Sequence, residues 1–227
     1  MSIYILNIET ATTNCSVSLS KDGVTVVLKE DYDKNYSHAE RLHIYIDAVL
    51  KEAKITSEVI DAIAVSKGPG SYTGLRIGVS AAKGLCFALD KPLISVFTLE
   101  ALAHQVTCNN GVIVSMLDAR RMEVYAAVFD ADYNQIRSTE AQILDENAFK
   151  DYLEAGTVYF IGNGVEKAKT LIEHPNAVFV DDKLPSANEM GHLAYNKYKI
   201  SDLEDVAYFE PYYLKDFVAL KPKPKTI

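Results

Sequence analysis

Little in this sequence is basic. Lys and Arg number 23 against 31 Asp and Glu, a formal net charge of -8, and a chain that holds a polyanion by itself needs a dense basic surface. That argues against a solitary RNA-binding protein. The one basic cluster is KPKPK at Lys221–Lys225, whose prolines predict an extended end. Cysteine is scarce as well. Cys15, Cys86 and Cys108 are odd in number, form no Cys-x-x-Cys and sit among apolar residues, so they read as core fillers and support neither a disulfide framework nor a zinc site. Long apolar runs are missing too: none approaches the roughly 18 residues that span a bilayer, and Met1–Glu9 has no basic start or cleavable apolar segment. A cytoplasmic protein is expected. With 227 residues, 48% hydrophobic and 24% charged, the chain can build one substantial core or two small lobes.

The pattern along the chain favours two lobes. Tyr4–Glu9, Cys15–Ser20 and Val24–Glu30 read as strands, the last two joined through Asp22-Gly23, a strong two-residue hairpin signal. A helix follows from about Tyr36 to Lys54, with Ser37 and Glu40 at capping-box spacing. Then come a strand at Asp61–Ser66, a helix to Leu89, a strand near Pro92–Phe97 and a helix at Leu99–Thr107. The order is βββαβαβα. The second half repeats it in worn form: strands at Gly111–Asp118, Met122–Phe129 and Gln135–Thr139, a helix at Asp145–Glu154, a strand at Thr157–Ile161, a Gly162-Asn163-Gly164 loop, a helix to Glu173, a strand near Ala177–Val180 and a helix at Ser186–Tyr198. The fold class is therefore α/β, two units each with a mixed sheet and helices on it, in the order of the actin-like ATPases. The expected division is residues 1–107 and a reduced lobe at 108–227, whose final helix can pack back on the first.

Between Asp61–Ser66 and the helix to Leu89 lies KGPGSYTGLRIG, Lys67–Gly78. Pro69 between two glycines turns the chain sharply, and Ser71 is placed to cap the helix that starts near Tyr72. The spacing is neither that of a P-loop, since Gly70 and Gly74 are three apart and Leu75-Arg76 follow, nor a dinucleotide fingerprint, since Thr73 stands where glycine is needed. It is compatible with amides offered to an anion and with a structural turn that docks helix on strand.

The spelling of this loop resembles the signature of the bacterial TsaB (YeaZ) family. So do four further strings in the right order: NIETATTNCSVSL (Asn7–Leu19), SHAERLH (Ser37–His43), DARRMEVY (Asp118–Tyr125) and PYYLK (Pro211–Lys215). The resemblance implies an actin-like fold and a non-catalytic subunit of the machinery that makes threonylcarbamoyladenosine in tRNA. In that scheme a separate enzyme makes threonylcarbamoyl-adenylate. The partner TsaD transfers the threonylcarbamoyl group to N6 of the adenosine beside the anticodon in tRNAs reading codons that begin with A, and the ATPase TsaE joins the complex. The chain would pair with TsaD, meet tRNA only through the complex, and form a homodimer when alone. An actin-like ATPase or kinase acting by itself is the alternative, and a metallopeptidase a further one.

The actin-like fold binds ATP between its lobes, and the corresponding places here hold Glu9, Thr10 and Thr12, then Asp118, then Gly162 and Gly164. Arg120 and Arg121 follow Asp118 where nucleotide-using relatives have small hydroxyl and glycine residues. We read this set, Arg120 included, as a vestigial nucleotide site, with the arginines expected in structural or interface ion pairs. No cofactor is expected. No metal is expected either: the catalytic partner of this family uses two histidines four apart, which share a helix face, whereas His38 and His43 are five apart and diverge by about 140°. Ser71 lacks a Gly-x-Ser-x-Gly elbow, so no nucleophile is assigned.

The first lobe's two helices carry more apolar surface than one core needs. On the first, Ala39, Leu42, Ile46, Val49, Leu50 and Ala53 form the core stripe, while Ile44 and Ala48 lie opposite. The second is apolar almost all round, with Gly74, Gly78, Ala81 and Gly84 expected to leave its backbone open to a close neighbour. Arg41, Ile44, Ala48, Gly74, Gly78 and Ala81 are the expected partner-binding residues.

Overall fold

The structure is a computed structural model that describes residues 2–31 and 38–215. Its elements in chain order are β1 (Tyr4–Glu9), β2 (Cys15–Lys21), β3 (Val24–Asp31), α1 (His38–Ala53), β4 (Ala62–Ser66), α2 (Tyr72–Leu89), β5 (Leu93–Val96) and α3 (Thr98–Ala103). The second half follows with β6 (Val112–Asp118), β7 (Glu123–Phe129), β8 (Gln135–Ile143), α4 (Lys150–Ala155), β9 (Val158–Ile161), α5 (Val165–Lys169), β10 (Ala177–Val180) and α6 (Ala187–Lys199). The duplication is visible in the sheets. One runs β3-β2-β1-β4-β5 and the other β8-β7-β6-β9-β10, each an antiparallel meander extended by two parallel strands.

Helices form where the apolar spacing matches their period. In α1, Leu42, Ile46 and Val49 are buried; in α2, Leu75, Val79, Ala82 and Cys86 are. Both pack on one face of the first sheet. Asp22-Gly23 turns the β2–β3 hairpin with positive φ at both residues, 52° and 85°, as a two-residue turn of that type requires. The three cysteines are buried and free.

Each unit sends its last helix to the other. α3 packs on β6 and β7 of the second sheet, and α6 packs on β1, β2 and β3 of the first. The face that receives α6 is unusually polar: Ser18 Oγ donates to Ala187 O at 2.7 Å and Ala187 N donates to Ser16 Oγ at 3.0 Å. Where α3 and α6 meet, the His104 ring stacks on Tyr133 at 4.0 Å and meets His192 edge-on at 4.4 Å. Burial pushes the His104 imidazole down to about 4, with the neighbouring His192 acting in the same direction.

Several element bounds differ from the sequence expectation, for local reasons. α4 covers Lys150–Ala155 and not Asp145–Glu154, because the Asp145 carboxylate accepts Asn147 N and Phe149 stands at φ 63°, which ends a helix on its N-terminal side. α5 stops at Lys169 instead of running to Glu173. β8 continues past Thr139 to Ile143 along the edge of its sheet. The Ser37 capping box and the Lys221–Lys225 cluster lie outside the described residues.

Candidate functional site

The loop Lys67–Ser71 is tied down on both sides. Lys67 N donates to Val96 O, Ser71 N to Ala11 O at 2.7 Å, and Thr98 N to Gly68 O, while Ser71 Oγ caps α2 by accepting Gly74 N. These amides are spent within the chain, so the turn that docks helix on strand is the reading the structure favours over an anion cradle. Gly70 is required because a Cβ there would lie 2.5 Å from Ala11 O.

Gly74 and Gly78 correct the partner-surface expectation. Both are buried, and a Cβ would come within 2.2 Å of Thr10 O at Gly74 and of Thr10 Oγ1 at Gly78. Their bare backbone serves close packing of α2 on the chain's own 10–12 loop, and Thr10 Oγ1 donates to Gly74 O at 2.8 Å. Only Gly84 of the three has open space where its Cβ would be.

Beneath this loop Glu9 is fully buried. Its Oε1 accepts Ala11 N at 2.6 Å and Ser66 Oγ at 2.8 Å, whereas Oε2 has no partner among the described residues. Burial outweighs these bonds and pushes the carboxyl up to about 7. Thr12 O accepts from His38 Nε2 at 2.7 Å, and burial lowers the basicity of that imidazole. His43, by contrast, is exposed.

Across from the loop a cleft of about 730 Å³ opens between the two sheets. Of the residues expected at a nucleotide site, it brings together Thr12, Asp118 and Arg120, joined by Arg121 and Asn163. Glu9, Thr10, Gly162 and Gly164 are elsewhere. Gly162 has φ 108° and its Cβ would meet Met116 O at 2.1 Å; Gly164 faces Val124 and Met116. Both glycines belong to the second core. Asn163, between them, is the one that turns to the cleft, its Oδ1 accepting Asp118 N at 2.9 Å. Asp118 is paired with Lys167 at 2.8 Å. These residues do not fit a magnesium–nucleotide complex: the carboxyl of Glu9 is sealed and the hydroxyl of Thr10 is committed to Gly74 O.

One wall of the cleft comes from a strap that sequence reasoning quoted but gave no role. Glu204 N bonds Leu93 O, Lys83 Nζ donates to Ala207 O and Phe209 O, and Tyr212 N donates to Lys67 O at 2.7 Å. Tyr213 then accepts from Arg76 Nε at 3.2 Å and packs against Tyr72 with ring centroids 5.0 Å apart. Lys215 pairs with Glu123 of the second lobe. The strap thus runs over β5 and α2, past the loop, and into the other lobe.

A second hollow, about 750 Å³, lies between α1 and α2 and is lined by Leu42, His43, Ile77, Ala81, Gly84 and Leu85 among others. On the same two helices Ile44 is 62% exposed and Phe87 88% exposed. Ala48 is half-buried, as is Arg41, which forms an ion pair with Asp31. Phe87 was missed in the sequence because it continues an apolar helix without breaking the pattern.

The comparisons with known proteins agree with this architecture. The family model described as "TsaD: tRNA N6-adenosine threonylcarbamoyltransferase" matches residues 33–223. The tRNA threonylcarbamoyladenosine biosynthesis protein TsaB of Escherichia coli K12 is 32% identical over 97% of this chain and 98% of its own length. The chain belongs to the TsaB family. The solved TsaB relative YeaZ from Pseudomonas aeruginosa superposes with a TM-score of 0.82 at 26% identity, covering 93% of this chain and all of that one. The tRNA N6-adenosine threonylcarbamoyltransferase of Staphylococcus epidermidis is 42% identical over 107 residues, 40% of this chain and 32% of that protein. This chain thus shares a stretch of sequence with that transferase.

Proposed function

We propose that this chain is a non-catalytic, cytoplasmic subunit in tRNA threonylcarbamoyladenosine biosynthesis, which activates a TsaD transferase by pairing with it through the outer face of α1 and α2. TsaE joins the assembled complex, and a homodimer forms through the same face when TsaD is absent. The observation that carries the reading is that face: a hollow between two long helices, an open Gly84, and exposed Phe87 and Ile44 on the same two helices. Large apolar side chains left in water beside a groove stand for a helix-packing surface awaiting a neighbour. The sealed Glu9, its carboxyl pushed up to about 7 by burial, and the Lys167-paired Asp118 support a chain without its own ATP chemistry.

Reconstituted tRNA modification, run with and without this chain, tests the role. Ala81→Arg and Phe87→Glu should abolish co-purification with TsaD and with it the activation, since an unpaired charge buried in an interface costs several kcal/mol. Lys150→Ala, on the other lobe, should leave both unchanged. Circular dichroism must show the variants folded. Folded variants that bind TsaD at full strength would move the interface elsewhere.

A further inference from the structure

The β6–β7 hairpin turns through Arg120 and Arg121, at φ 70° and 50°. Two consecutive positive φ values are the province of Asn-Gly or Asp-Gly, and this chain uses Asp22-Gly23 for that purpose in its first lobe. A bulky residue held in this region is strained, and strain kept at a turn points to what the side chain does there. Both arginines are exposed on the cleft between the lobes. Of the structural or interface ion pairs expected of them, the structural kind is not formed among the described residues. The nearby carboxylates are taken, Asp118 by Lys167 and Glu123 by Lys215, and among the described residues neither guanidinium meets a carboxylate. Among the described residues the cleft therefore carries two positive charges without a paired carboxylate, on a chain whose net charge is -8. The facing wall holds the rings of Tyr72, Tyr212 and Tyr213.

We infer that this cleft holds a single-stranded segment of the tRNA, its phosphodiesters on Arg120 and Arg121 and its bases against the tyrosine wall. Guanidinium groups recognise phosphate oxygens in a bidentate fork, and aromatic rings accept any base face, so a charged slot with one aromatic wall is the arrangement that takes unpaired nucleotides. Its volume of about 730 Å³ is in the range of small-ligand pockets, roughly 300–1,000 Å³, and too confined for a duplex. The acidic remainder of the surface explains why the contact works only when a partner supplies the rest of the RNA site. The inference rests on the function proposed above.

The test uses the complex with TsaD and a fluorescently labelled transcript of a tRNA reading codons that begin with A. In the doubly substituted Arg120→Gly, Arg121→Gly chain, glycine suits both positive φ values, so the hairpin should fold at least as well while losing both charges. Affinity for the transcript should fall about tenfold at low salt, and the slope of log K against log salt should flatten by about one to two. Arg120→Lys with Arg121→Lys should restore most of the slope, and oligouridylate should compete better than an RNA duplex of equal length. Unchanged affinity and slope in the glycine variant would overturn the inference. So would loss of co-purification with TsaD in a folded variant, which would make the arginines a contact for an acidic protein surface. If the wild-type chain itself fails to co-purify, the proposed function falls and this inference with it.

Discussion

The two lobes share one sheet plan and differ in what they build on it. Over the first sheet lie α1 and α2, 16 and 18 residues long; over the matching face of the second lie α4 and α5, 6 and 5 residues long. Short helices suffice to cap a sheet, and the second core closes under them with Phe149, Phe160 and Phe179 in ring contact. The extra turns of α1 and α2 also carry an outward surface, where Ile44 and Phe87 stand exposed. The hairpin loops after β1 and β6 diverge in the opposite sense. The first is sealed under the α2 glycines, while the second stands open with its arginines exposed. Duplication has left one lobe with an outer helix face and the other with an open cleft wall.

The carboxylates at the two matching hairpins give the largest expected contrast. Glu9 has its folded pKa raised from 4.5 to about 7 by burial. Between those values the folded state binds a proton that the unfolded chain has released, so this contribution is fully present below pH 4.5 and lost as pH rises to 7. The loss is about 3 kcal/mol at 1.36 kcal/mol per unit. Urea unfolding across pH should show that slope in the wild type, and Glu9→Gln should remove it. Asp118→Asn, at an exposed ion pair, should change stability by less than about 1 kcal/mol. His104 acts on the acid side: with its folded pKa lowered to about 4, its contribution is present above 6.5 and lost as pH falls towards 4. His104→Phe should flatten that limb. A wild type equally stable at pH 5 and pH 7.5 relative to Glu9→Gln would mean Glu9 is not sealed.

Next come the glycines that fix the helices to the loops. Gly78→Ala sets a Cβ against Thr10 Oγ1, so Thr10 must rotate and give up its bond to Gly74 O. Overpacking of this kind costs about 1–3 kcal/mol. At Gly164 the atoms in the way are Val124 Cγ1 and the Met116 side chain, and methionine yields. Gly164→Ala should therefore cost less than Gly78→Ala in the same denaturation experiment. The reverse order would show that the second lobe is the tighter of the two.

Element order, the duplication and most element positions were legible in the sequence because alternation, Asp-Gly and the apolar period of α1 and α2 report local structure directly. The exchange of α3 and α6 between sheets was less so. Its trace is the serine row of β2, Ser16, Ser18 and Ser20, which looks polar and exposed but lies under α6. For the candidate site, Thr12, Asp118 and Arg120 do line one cleft, yet the glycines misled. A helix glycine signals close approach without saying from which side, and Gly74 and Gly78 turned out to face inward. The Arg120-Arg121 turn was hidden for a different reason: arginine carries no turn signal, and only the short gap between the strands expected at Gly111–Asp118 and Met122–Phe129 hinted at a tight hairpin.

The smallest predicted effect is the one that separates folding from partnership. Gly84 sits in the interior of α2, exposed, with nothing within 4 Å of its Cβ position. Alanine is a better helix former than glycine by about 0.8–1.0 kcal/mol in such a place, so Gly84→Ala should stabilise the isolated chain by up to about that amount, against the loss expected at Gly78. If TsaD packs closely over this stretch of α2, the added methyl pushes the two helices apart and the same variant should bind TsaD more weakly while unfolding at higher urea. Denaturation and titration calorimetry on one protein would read both signs. A variant that gains stability and keeps full affinity would leave the Gly84 surface outside the contact and narrow the interface to the Ile77–Ala81 half of the groove.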